Sequence, residues 1–193
     1  MPGRLVSTVR VSTIPRAVHS GPSLSRENGM RVAEVSVLHG YCQWANGRVL
    51  DATAQVPAAQ LVERAPVSHG SLLGTLVHVL SCEREWRVLC QEGDWPSAML
   101  TVADFPTLSA LRERWAMEAE SMRVFIDGLH DEDLDGLVRY TDDEGTAHED
   151  PLWHVLVHVV NHGTQFRSEA AVVLTEAGHS PGSLDLVGYR PSA

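Results

Sequence analysis

At 193 residues, with 44% hydrophobic and 21% charged side chains, the chain has the size and composition of one globular domain, and no apolar run approaches the roughly 18 residues that a membrane helix needs. All fifteen basic residues are arginine, which excludes a Schiff-base lysine and the lysine of a phosphate-binding P-loop. The formal charge of −10 is uneven, because residues 1–29 carry Arg4, Arg10, Arg16 and Arg26 against Glu27 and leave −13 for the rest, an acidic body that repels nucleic-acid phosphates.

Residues 1–29 mix Ser, Pro, Gly and Arg without a helical period and read as a disordered N-terminal extension. Met30 follows at once, which suggests an over-extended start; residues upstream of Met30 in the native protein would disprove that. From Arg31 the apolar residues recur at three- and four-residue steps and predict a first long helix fading near Gln55. A polar stretch from Pro57 to Gly70 follows. The run SLLGTLVHVLSCEREWRVLC predicts a second helix, capped by Ser71 and ending near Gly93. Beyond Pro96 and Pro106 comes a third, with Thr107 as its cap and Leu108, Leu111, Trp115, Met122, Phe125 and Ile126 as its buried stripe. GLVRYTDDEGTAHED places an acidic turn with Gly145 between two β-prone runs, so a short hairpin or extended loop is expected there. The last long helix begins at Pro151 and stops at Gly178. The predicted architecture is therefore all-α, a four-helix bundle over residues 30–193 with a short hairpin or loop before the last helix. Cys42, Cys82 and Cys90 are odd in number and form no CxxC motif, which points to reduced thiols and a cytoplasmic location.

Within the last helix, HVVNHGTQFRSE sets His158 and His162 four residues apart and puts Phe166 at the next step of four. At about 100° per residue, Val155, Phe166 and Val159 lie within about 60° of His162 on one side, and Glu169, His158 and Gln165 lie within about 60° on the other. His162 thus sits at the boundary between an apolar face and a polar seam. On the second helix His78 occupies a similar boundary, with Cys82 one turn on. Such residues could supply a zinc- or nickel-type site between facing helices. Spacing alone reads equally as partly exposed or core histidines, with Cys82 a small buried apolar residue. His19, His39, His69, His130, His148 and His179 have no partner spacing.

GTLVHVLSCEREW, LWHVLVHVVNHGTQFRSEAAVVLTEAGHSP, SLDLVGY and YCQWANGRVLD together resemble the DinB superfamily of four-helix-bundle proteins, over Met30 to about Tyr189. The resemblance implies a divalent metal, zinc, nickel or manganese, held by one histidine of the second helix and two of the last, four residues apart and just before an arginine. His78 and His162 match the first two; the third falls on Phe166, before Arg167. A phenyl ring cannot ligate a metal. His158 is the nearest substitute third ligand, displaced by one turn, about 5.4 Å along the axis; alternatively Phe166 fills the floor of the former metal pocket and leaves His78 and His162 as a catalytic pair.

Three functions follow. The resemblance implies a metal-dependent thiol transferase or hydrolase that uses a low-molecular-weight thiol, with His78, His162 and His158 as ligands, and it implies a homodimer. The second is a metal-free bundle that binds or transforms a small apolar molecule beside Phe166 and Trp86. The third is a non-catalytic interaction protein with a decayed site. A small molecule is the expected partner in the first two, and neither nucleic acid nor membrane is expected.

Overall fold

The computed structural model describes residues 29–142 and 144–191; the extension expected before Met30 falls on residues 1–28, outside the described residues. Four long helices form a bundle: α1 (Val32–Thr53), α2 (Leu72–Glu92), α3 (Leu108–Asp127) and α4 (Leu152–Glu176), with a two-stranded antiparallel hairpin, β1 (Leu137–Thr141) and β2 (Ala147–Pro151), before α4. Among the described residues no helix is long and apolar enough to cross a membrane.

The helix ends follow local chemistry. Ser71 Oγ accepts from Gly74 N at 3.0 Å at the start of α2, and Thr107 Oγ1 accepts from Ala110 N at 3.1 Å at the start of α3, each satisfying a backbone donor that has no partner inside the helix. Gly93, at φ +78, ends α2 in the left-handed conformation that a Cβ would strain. In the hairpin, Asp142 Oδ1 accepts from Glu144 N and Thr146 N and closes the turn. Pro151 differs from the sequence reading: it ends β2 and caps α4 with extended backbone, so the helix proper starts at Leu152. A backbone bond from Leu152 N to Gly136 O, 2.8 Å, ties that start to the hairpin base.

Among the described residues the core divides into three apolar clusters, the smallest being Tyr41, Cys42 and Ala45 on α1. Of the larger two, one collects Val49, Leu76, Leu80, Leu111, Trp115, Phe166, Ala170 and Leu174. The other, toward the hairpin, collects Val35, Leu89, Met122, Ile126, Leu152, Val155 and Val159. Between them along the first three helices lie Asn46, Glu83 and Glu118, all buried. The α3 stripe holds as expected at Leu111, Trp115, Met122 and Ile126, but it also contains Glu118, fully buried and bonded by Arg87.

Candidate functional site

The pairing of α2 with α4 brings together two histidines that lie 84 residues apart in sequence. His78 Nε2 and His162 Nε2 approach to 3.0 Å, and both rings are partly buried. The His78 pKa is pushed down to about 4 by burial and then by neighbouring His69, and that of His162 to about 4 by burial and then by His78. Both are therefore neutral near pH 7. A neutral pair at this distance has one Nε2–H donating and the other Nε2 accepting.

Phe166, only 9% exposed, packs under both rings, edge-on to His78 at 4.4 Å between centroids and tilted against His162 at 4.5 Å. His69, which has no helical period to mark it, joins the site from the loop before α2. Its exposed ring stacks on His78 at 3.7 Å and an interplanar angle of 20°, and stands 5.2 Å from Phe166. The loop is clasped to α4, because Ser68 N and Oγ donate to the two Glu169 oxygens at 2.9 and 2.6 Å. Those bonds hold the Glu169 carboxyl below its ordinary range.

His158 stands apart from the pair: its exposed ring is 5.9 Å from that of His162 and meets Trp86 edge-on at 5.1 Å. Cys82 is buried, and burial drives its thiol pKa far up, which makes it inert as a thiolate. Among the described residues no three His, Cys, Asp or Glu side chains are grouped so that they could hold a metal ion.

Behind the pair runs a buried polar relay. Glu83 Oε1 accepts from Asn46 Nδ2 and Oε2 from Trp115 Nε1, each at 2.9 Å, while Arg167 Nη1 donates to Asn46 Oδ1 at 3.1 Å. Gly163 makes room for it, since a Cβ there would come within 2.5 Å of Arg167 Nη1. The sequence carries one clue to this arrangement, a glycine four residues before an arginine on one helix.

The model of the DinB family matches residues 30–193, the whole of the helical bundle. The chain belongs to the DinB family. No curated protein matches it.

The three-histidine metal set that the DinB resemblance implies can be tested on these side chains. Two nitrogens bound to one tetrahedral ion at about 2.0–2.1 Å stand about 3.3 Å apart, near the 3.0 Å between His78 and His162. The third place is carbon: Phe166 offers no lone pair, and the His158 ring stands 5.9 Å from that of His162, against Trp86. The DinB set does not fit at its third position.

Proposed function

We propose that this DinB-family chain uses His78 and His162 as a metal-free acid–base pair that binds and transforms a small molecule over the Phe166 ring. The observation that carries the reading is the 3.0 Å Nε2 to Nε2 approach above a phenyl ring. Two neutral imidazoles of low pKa present one proton and one lone pair side by side, so a polar group of a substrate inserted between them could give up a proton to one ring and take one from the other. Aromatic walls at Phe166 and, beyond His158, at Trp86 favour a ligand with an apolar body.

A metal-dependent thiol transferase or hydrolase acting with a low-molecular-weight thiol is the second reading. It is favoured by the same Nε2 separation, which is close to the spacing of two ligands on one ion; a divalent ion there lowers the pKa of a bound water or thiol.

Elemental analysis of untagged protein after incubation with zinc, nickel or manganese, beside Phe166→His, separates the two. The expected result is an empty unaltered protein and a Phe166→His variant with near-stoichiometric metal. Near-stoichiometric metal in the unaltered protein would overturn the metal-free reading in favour of the second.

A further inference from the structure

Arg167 is the largest side chain in the protein's fully buried set, at 1% exposure. Its Nη1 donates to Asn46 Oδ1 at 3.1 Å and its Nη2 to Thr164 Oγ1 at 3.0 Å, with Cys42 Sγ 3.7 Å from Nη2. All three partners are uncharged near neutral pH, for burial pushes the Cys42 thiol up to about 11. The Nε has no partner. Glu83 makes no ion pair with the guanidinium; it is bridged to it by Asn46 and otherwise acts only as a nearby charge, so a buried cation is left with no anion in contact and one donor unused, an arrangement that costs free energy unless something completes it.

Arg167 is one of the residues that line a groove of about 450 Å³ between α1, α4 and the C-terminal segment. Arg167, Tyr41 and Thr164 line its polar side, and Leu38, Val160 and Leu186 its apolar side. Two of these lining residues are also neighbours of the guanidinium: the Tyr41 ring centroid lies 5.6 Å from Cζ, and Thr164 Oγ1 accepts from Nη2. The acidic residue on the rim, Asp185, is exposed and accepts from Ser183 Oγ at 3.0 Å. On α4, Val160 and Thr164 lie about 160° from His162, one on either side. The groove is therefore on the opposite face of α4 from the histidine pair. Its volume falls in the range of small-molecule sites, roughly 300–1,000 Å³.

We infer that this groove binds a small amphipathic carboxylate, whose charged end pairs with Arg167 and whose apolar body lies along Leu38, Val160 and Leu186. A carboxylate held at the Arg167 wall of the groove would supply the missing contact charge, and charge-assisted bonds to a guanidinium are the stronger kind.

Octanoate and octanamide test this by calorimetry and thermal unfolding, because they share an apolar body and differ in charge. Octanoate should bind saturably and raise the melting temperature, and octanamide should bind roughly tenfold more weakly or worse. Ser168→Trp, which puts an indole into the groove from an exposed position, should abolish the octanoate response, whereas His162→Ala should keep it. Octanoate that binds no tighter than octanamide, binds undiminished to folded Ser168→Trp, or does not bind at all would overturn the inference; the amide comparison decides even if Ser168→Trp does not fold.

Discussion

Position 166 stands where the DinB resemblance puts a third donor nitrogen, and it presents carbon instead. The Phe166 ring lies 4.4 and 4.5 Å from the His78 and His162 rings, close enough to keep water from beneath them. That shielding has a measurable sign. Both histidines drop from 6.5 to about 4, chiefly by burial, so as pH falls the unfolded chain takes up protons before the folded one does. The stability associated with the neutral pair is therefore complete above pH 6.5 and lost progressively between pH 6.5 and about 4. Denaturant midpoints taken above, within and at the foot of that window should fall with pH. The His78→Gln, His162→Gln double variant should flatten the slope, and an unchanged slope would rule out this origin. The histidine pair and Phe166 were named from sequence. His69 was not, because a loop residue has no period to relate it to a helix face.

At the scale of the element, α4 holds the most information. Its period separates an apolar face from a polar seam, and the caps on α2 and α3 sit where Ser71 and Thr107 predict them. Gly163 shows where propensity fails: replacing a helical glycine by alanine ordinarily stabilises by about 1 kcal/mol. Here the new Cβ would stand 2.5 Å from a guanidinium nitrogen that is itself buried. Gly163→Ala should therefore destabilise by about 1–3 kcal/mol, read as a lower denaturant midpoint; a stabilised variant would show that Arg167 can move aside. The clasp between the loop before α2 and α4 is a weaker device. Ser68 and Glu169 are at or near the surface, so Ser68→Ala should cost no more than about 1 kcal/mol. The loop amides around His69 should nevertheless exchange with solvent faster, and unchanged exchange would mean that the stacking on His78 holds the loop by itself.

Across the whole molecule, the polar relay joins one residue from each helix: Asn46 on α1, Glu83 on α2, Trp115 on α3 and Arg167 on α4. Burial pushes the Glu83 carboxyl pKa upward, while Asn46, Arg167 and Trp115 act against that. Apolar layers alone tolerate sliding, whereas a polar layer is satisfied in one register and penalised in others. Removing Arg167 leaves Asn46 Oδ1 buried without a donor, so Arg167→Leu should cost about 1–3 kcal/mol in urea unfolding. A single substitution that costs less than about 1 kcal/mol would show that the layer has little part in holding the bundle together.

The sequence by itself determined the four helices, the caps on α2 and α3, a hairpin or extended loop before the last helix and the candidate pair, because those depend on periodicity and on groups within a few residues of one another. Tertiary structure alone decided that His78 and His162 meet at 3.0 Å, that His158 turns to Trp86, that His69 arrives from a loop, and that Glu83, Glu118 and Arg167 are buried together. A period reports which side of a helix is covered. It does not report which residue of another helix covers it, since that is set by axial register and crossing geometry between segments as much as 143 residues apart, as between Tyr41 and Leu184.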